Sequence, residues 1–184
     1  ARRYSNPEKH RTKFFAGRYG NVFGSSGSVI PKFIQQINNN EKITITDPSM
    51  TRFSITMDQA LDFILKATKN GHGSEIFIPK VKAYSLQQIV DILSNLTKTK
   101  EHTIIGIRPG EKQHESLINS DEMRCAWSYE NMFMLLNELH DDKNLEKTYP
   151  GIKKVKDLDV YSSDKAESLT MDEITNNIKD LQLL

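Results

Sequence analysis

Between Lys13 and Arg108, short apolar runs of strand length alternate with longer segments whose apolar residues recur at helical spacing. A strand has faces that must be covered, and a helix following each strand covers them, so this order selects an α/β architecture over a bundle or a sandwich. Residues 13–23 have the apolar density of one buried strand, and Val29, Phe33, Ile34 and Ile37 give residues 28–38 the period of a helix, which Asn38, Asn39 and Asn40 stop. Residues 43–46 alternate apolar and polar side chains before Asp47 and Pro48 turn the chain, and residues 53–56 repeat the pattern. Asp58 is placed to cap a helix in which Ala60, Leu61, Phe63, Ile64, Leu65 and Ala67 make one apolar face, ended by Gly71 and Gly73.

The pattern continues with a strand over residues 75–79 and an amphipathic helix opened by Ser85 and carried by Leu86, Ile89, Val90, Ile92, Leu93 and Leu96. A strand over residues 103–108 then meets the turn residues Pro109 and Gly110. Farther on, residues 123–139 predict a helix, residues 141–159 a charged loop, and residues 171–184 a last helix on Ile174, Ile178 and Leu181.

With 184 residues, mixed charge and a formal net charge of +1, the chain has the length of one domain and nothing that demands nucleic acid. Arg2, Arg3, Lys9, Arg11, Lys13 and Arg18 face only Glu8 in the opening segment, as a basic patch for phosphate or as a solvated connection. The single cysteine, Cys125, permits no internal disulfide, reads as a small core residue and suits a reducing cytoplasm. No apolar run reaches the roughly 18 residues that span a bilayer. The start Ala1-Arg2-Arg3-Tyr4 has neither an initiator methionine nor a signal-peptide core, so the chain is expected to be cut from something longer.

Three places carry candidate chemistry. Residues 18–29 run from the strand into a loop with Asn21, Gly24 and Gly27, where bare backbone N–H groups can approach a ligand, or which is simply a flexible turn. The glycines fit neither the dinucleotide fingerprint nor the P-loop, but Asn21 stands at the carboxyl end of a strand, where ligands of open α/β sheets sit. Arg52 and Arg108 lie in apolar strand-to-loop surroundings and offer forks that fit a diphosphate, or that pair with carboxylates. Glu111 could accept from sugar or ribose hydroxyls or neutralise Arg108.

Other motifs fall away. Tyr149 with Lys153 and Tyr161 with Lys165 have the Tyr-x-x-x-Lys spacing of a lysine-assisted catalytic tyrosine. Pro150 and Gly151 break the helix the first pair needs, and the second follows a charged loop without an upstream strand. His114 beside Glu111 and Glu115 lacks a second histidine or cysteine at ligand spacing, so an exposed polar helix start, not a metal, is expected there.

Four ordered blocks, Arg18-Tyr-Gly-Asn-Val-Phe-Gly-Ser-Ser-Gly-Ser-Val-Ile-Pro31, Ile45-Thr-Asp-Pro-Ser-Met-Thr-Arg-Phe53, Glu75-Ile-Phe-Ile-Pro-Lys80 and Gly106-Ile-Arg-Pro-Gly-Glu-Lys-Gln-His-Glu115, resemble the later half of UDP-N-acetylglucosamine 4,6-dehydratases of the inverting, pseudaminic-acid-pathway type. These belong to the CapD-like polysaccharide-biosynthesis branch of the extended short-chain dehydrogenase/reductase superfamily. The similarity covers about residues 13–122, with an echo at Val160-Tyr-Ser-Ser163. Asp164, Lys165 and Ala166 depart from the amide-rich continuation of that echo.

The resemblance implies the last strands of a Rossmann sheet plus a small substrate-binding domain. Residues 1–38 would end the dinucleotide-binding domain, residues 39–122 would form the substrate-binding region with a returning sheet strand at 75–79, and residues 123–184 a C-terminal helical extension. It further implies an NADP-dependent reaction in which hydride leaves sugar C4, water is eliminated across C5 and C6, and hydride returns to C6 with inversion at C5. By position, Asn21, Val29, Thr46, Arg108 and Glu111 would contact the UDP-sugar, Arg52 would face phosphate, and Val22, Phe23, Gly24, Ser25 and Ser26 would line the nicotinamide end of NADP.

The family's glycine-rich turn, Asp-Lys elimination pair and catalytic Tyr-x-x-x-Lys precede Ala1, so this chain alone is expected to be inactive, with apolar surface exposed in isolation. A cytoplasmic homo-oligomer without a membrane segment is implied. The alternatives are a UDP-hexosamine epimerase or retaining dehydratase of the same superfamily, and a non-catalytic sugar-nucleotide-binding fragment.

Overall fold

The computed structural model describes residues 12–98, 101–136 and 142–183, with Asp142 and Lys143 as backbone only. Arg2, Arg3, Lys9 and Arg11 of the basic opening lie outside the described residues. In chain order the elements begin with β1 (Ala16–Gly17), β2 (Asn21–Val22), α1 (Val29–Asn38), β3 (Ile43–Ile45), β4 (Thr51–Ile55) and α2 (Met57–Asn70). Next come β5 (Ile76–Pro79), β6 (Ala83–Ser85), α3 (Leu86–Thr97), β7 (His102–Ile104), β8 (Ser116–Ile118) and α4 (Ser120–Met123). The chain closes with β9 (Ala126–Tyr129), β10 (Met132–Leu135), α5 (Asp142–Thr148), β11 (Lys153–Lys154), β12 (Tyr161–Ser162) and α6 (Met171–Asp180).

Two compact units result, each drawn from three chain segments. The first takes Ala1–Tyr19, Asp58–Lys80 and Ser116–Tyr161. Its sheet has the order β1-β5-β10-β9-β11, with β1 parallel to β5 and the other pairings antiparallel. Phe63 and Ala67 of α2 pack with Phe77, Met132 and Met134 into its core. Gly17 lets α2 approach, because a Cβ there would sit 3.1 Å from the Phe63 ring. The Arg18 guanidinium forks onto the Glu122 carboxylate at 2.8 and 2.9 Å, and that hydrogen bond, with the Glu122 charge adding and burial opposing, sets the Arg18 pKa above its ordinary value.

The second unit takes Gly20–Met57, Val81–Glu115 and Ser162–Leu184. It contains the three-stranded arrangement β2-β4-β6, parallel between β2 and β4 and antiparallel between β4 and β6, and the parallel pair β3-β7. One core joins Phe33 of α1, Ile43 and Ile45 of β3, Ile89 and Leu93 of α3, and Ile174 and Ile178 of α6. The helices start where their first turns are satisfied. Ser85 and Gln88 form a capping box on α3, and Thr170 and Glu173 form another on α6, each closing two otherwise orphaned N–H groups.

Several expectations are corrected. Residues 13–23 form two strands of two residues in different sheets, because Gly20 lies against β4, where a Cβ would come 2.7 Å from Phe53 Cβ, and the chain changes course there. The helix α2 begins at Met57, so Asp58 occupies its first turn, favourable to the helix dipole, rather than its cap. Only Ala60, Phe63 and Ala67 of its apolar residues are buried, while Met57, Leu61, Ile64 and Leu65 are exposed. The strand expected over residues 103–108 is β7, which ends at Ile104.

The largest correction concerns residues 123–139. Residues 123–136 hold the end of α4 and the hairpin β9-β10, and residues 137–139 lie outside the described residues. Met132, Phe133, Met134 and Leu135 are all buried, and a continuous apolar run of this kind has no period that separates strand from helix. Glu130, with φ 49°, takes the positive-φ turn position of the two-residue connection. The expected loop over residues 141–159 contains α5 and β11, and Cys125 is half-buried rather than a core residue.

Candidate functional site

A pocket of about 140 Å³ lies in the second unit. Its polar lining comes from Asn21 on β2, Ser28 before α1, Thr46 after β3, Arg52 on β4, and Glu111. Val22, Gly24, Val29, Met50, Tyr84 and Leu86 supply the rest. Local chain chemistry explains the meeting point. Gly24 takes φ +72°, a left-handed conformation that turns the chain as β2 ends, and the turn is closed by bonds from Ser25 N to Val22 O at 3.1 Å and from Ser28 N to Ser25 O at 2.9 Å. Ser28 then precedes α1 in extended geometry, but its side chain makes no cap bond, and its Oγ is buried without a hydrogen-bond partner among the described residues.

Arg52 reaches the pocket from a strand that pairs it with Tyr84 on β6. Its Nη1 donates to Thr51 O at 2.7 Å and Gln113 O at 3.1 Å, its Nη2 to Met50 Sδ at 3.5 Å, and its Nε lies 3.8 Å from Glu115 Oε1. Glu115 Oε2 accepts from Phe53 N at 2.9 Å, and Oε1 accepts from Asn21 Nδ2 at 3.4 Å. Burial raises the Glu115 pKa above its ordinary value, against the opposing pull of the Phe53 N–H and the charges of Arg52 and Lys112. Burial likewise raises the Tyr84 phenol, with the Glu115 charge adding and Arg52 opposing. Behind them, Thr51 Oγ1 meets His114 Nδ1 at 2.8 Å and Ser163 Oγ at 2.7 Å, and Glu115 N donates to Ser163 Oγ at 2.9 Å.

The structure therefore brings together Asn21, Val29, Thr46, Arg52 and Glu111, with Val22 and Gly24. Arg108, Phe23, Ser25 and Ser26 are not part of this lining. The Phe23 side chain is in the core, edge-on to Tyr84 with centroids 5.9 Å apart, and its N–H donates to Ile55 O. Ser26 is exposed. Arg108 is exposed too, and the Glu111 carboxylate accepts from its backbone N–H at 3.1 Å, so the Pro109-Gly110 turn closes on itself. His114 stands in an isolated bridge with Thr51, not at a helix start.

Sequence reasoning missed Ser28, Met50, Tyr84, Leu86, Glu115 and Ser163. Glu115 closes the fourth block and Ser163 the late echo, so a signal existed for both; Tyr84 carried none. Tyr149 and Tyr161 are both buried, and the Tyr149 hydroxyl donates to Glu75 Oε1 at 2.7 Å. Among the described residues no group of three His, Cys, Asp or Glu is arranged to hold a metal ion, and no helix is long and apolar enough to cross a membrane.

Residues 2–137 match the family described as polysaccharide biosynthesis protein. The chain is 40% identical over 160 residues to a UDP-N-acetylglucosamine 4,6-dehydratase (inverting) of Campylobacter jejuni, covering 84% of this chain and 47% of the relative. It is 36% identical over 174 residues to a UDP-glucose 4-epimerase of Rickettsia bellii, covering 94% of this chain and 51% of the relative. The X-ray structure of Pen from Bacillus thuringiensis superimposes with a TM-score of 0.80 at 35% identity, over 96% of this chain and 52% of that one. The chain thus spans about half the length of the curated relatives it matches. The resemblance read from the four blocks holds, and the α/β fold is that of the extended short-chain dehydrogenase/reductase proteins. With most of its length matched, the chain belongs to the polysaccharide biosynthesis protein family.

Proposed function

We propose that this chain supplies the UDP-sugar-binding part of a nicotinamide-dependent UDP-N-acetylglucosamine 4,6-dehydratase that inverts C5. The observation that carries the reading is the pocket itself, where Asn21, Val29, Thr46, Arg52 and Glu111, from three of the four resemblance blocks, line one cavity. Arg52 keeps donor capacity at Nη2, whose recorded contact is a weak sulfur acceptor, and a diphosphate oxygen would use it. Thr46 and Glu111 would meet sugar or ribose hydroxyls, and Val29 would pack against an apolar face of the ligand.

Size limits what this pocket does. Pockets that enclose a drug-sized ligand measure roughly 300–1,000 Å³, so about 140 Å³ holds only part of a UDP-sugar. Arg108 on its exposed turn would act on the portion that extends beyond the pocket. Val22 and Gly24 line the cavity and fit close approach by a carboxamide, while Phe23, Ser25 and Ser26 would contribute backbone or an outward hydroxyl to an NADP nicotinamide. That group, when bound, supplies the hydride acceptor and donor. The residues of this chain orient the sugar and neutralise the diphosphate; the chain alone would bind without turnover, within a cytoplasmic homo-oligomer.

A second reading, a UDP-hexose 4-epimerase, is favoured by the name of the Rickettsia relatives. NMR analysis of UDP-N-acetylglucosamine incubated with the natural-length protein separates them. A C5-inverted 4-keto-6-deoxy sugar is expected, a C4 epimer supports the second reading, and binding without any product leaves a binding module.

A further inference from the structure

The Glu115 carboxylate is an odd neighbour for a pocket that takes an anion, because it repels a diphosphate directly. Its geometry accounts for its place. One oxygen, Oε2, is tied to the backbone at Phe53 N, 2.9 Å away, and the backbone N–H of Glu115 is tied to Ser163 Oγ at 2.9 Å. The other oxygen, Oε1, is shared between Asn21 Nδ2 at 3.4 Å and Arg52 Nε at 3.8 Å. Both distances exceed those of a firm charge-assisted hydrogen bond, so neither group is locked away from a ligand.

The other contacts of the two pocket groups leave this role to Glu115. Arg52 is held on its Nη1 side by the carbonyls of Thr51 and Gln113, and the Nε edge faces Glu115. Asn21 lies on a strand of two residues. We infer that Glu115 is the positioning residue of this pocket, a backbone-anchored carboxylate that sets the Asn21 amide and the Arg52 guanidinium together for a nucleotide-sugar diphosphate. The inference rests on the reading that the pocket takes a UDP-sugar.

Two measurements on the natural-length protein test it separately. The charged or titratable groups facing Glu115 are Arg52 from β4, Tyr84 from β6 and Lys112 from its own loop. With isotope-labelled arginine and no ligand, the Arg52 Nε–H resonance, assigned by Arg52→Lys, should move as acid protonates Glu115, and this movement should vanish in Glu115→Gln. In calorimetry with UDP-N-acetylglucosamine, Glu115→Ala should weaken binding roughly tenfold, the size expected of coupled contacting residues. Glu115→Gln, whose amide oxygen still accepts from Phe53 N, should lose less, and the double variant Arg52→Ala, Glu115→Ala should bind no worse than the weaker single variant.

An Arg52 resonance indifferent to Glu115→Gln, or fully additive losses, overturns the inference. Should Glu115→Ala fail to fold, the Glu115→Gln arms decide it. If the wild-type protein binds no UDP-sugar while the Arg52 resonance still follows Glu115, the proposed function falls and the positioning geometry stands.

Discussion

Each unit contains a half-hidden or hidden carboxylate, and the two are used differently. In the first unit Glu75 is 1% exposed, and its oxygens are filled by the Tyr149 hydroxyl at 2.7 Å, His72 N at 3.1 Å and Gly73 N at 2.7 Å. In the second, Glu115 keeps 24% side-chain exposure, one firm backbone bond and two long contacts to pocket groups. A saturated carboxylate builds structure, pinning a loop to a phenol whose pKa burial and Glu75 drive upward. An incompletely engaged one beside a cavity leaves its partners available for a ligand.

The comparison breaks most easily at Glu75. Glu75→Ala strands a buried phenol and two backbone donors, each worth roughly 1–3 kcal/mol when unsatisfied, so a loss of about 3 kcal/mol or more in denaturant unfolding is expected, with UDP-sugar affinity in the folded fraction unchanged. Little loss would mean that Glu75 is no structural anchor. Gly24→Ala is next: φ is +72° and a Cβ would lie 2.3 Å from Leu181 Cδ2. The strained backbone and overpacking together predict about 1–3 kcal/mol, measured as a fall in thermal midpoint.

Glu115→Gln sharpens the contrast through pH. The wild-type carboxyl has a pKa raised above 4.5 by burial, so its contribution to stability is fully present below that value and is lost as pH rises through the higher folded-state pKa. The variant has no such loss; its thermal midpoint relative to wild type should therefore improve as pH rises from acid to neutral, while its UDP-sugar affinity falls. A midpoint difference between variant and wild type that does not change with pH contradicts the assignment.

The smallest effect belongs to the exposed trio of Lys82 with Glu167 and Glu173. Lys82 is raised to about 12 by its bonds to Glu167 and then Glu173, and Glu173 is lowered to about 2 chiefly by Lys82. The Glu173 contribution is present above its ordinary 4.5 and disappears as pH falls toward 2, but solvent screening leaves little to lose. Lys82→Ala should leave the neutral-pH thermal midpoint within error.

What was legible in the sequence follows the same division. Ser85 with Gln88 and Thr170 with Glu173 set helix starts locally, and Ile43, Thr44 and Ile45 carry the alternation of a half-buried strand, so α3, α6 and β3 begin where spacing placed them, with α6 ending at Asp180 and β3 at Ile45, short of the expected residues 184 and 46. Met132 to Leu135 did not, because a run buried on both faces has no period. Leu61, Ile64 and Leu65 show that an apolar helix face need not be covered within the described chain. At the site, Asn21, Thr46, Arg52 and Glu111 were legible from the blocks, but the Glu115 link depends on a meeting of β2, β4 and the turn after β7 that no local pattern encodes.

The most direct test is a crystal structure of the natural-length protein with UDP-N-acetylglucosamine. The account predicts part of the ligand inside the pocket of the second unit, with a diphosphate oxygen within hydrogen-bond distance of Arg52 Nη2 and with Asn21 and Glu111 beside it. A UDP-sugar seated elsewhere, with Arg52 still committed only to Thr51, Gln113, Met50 and Glu115, would contradict it.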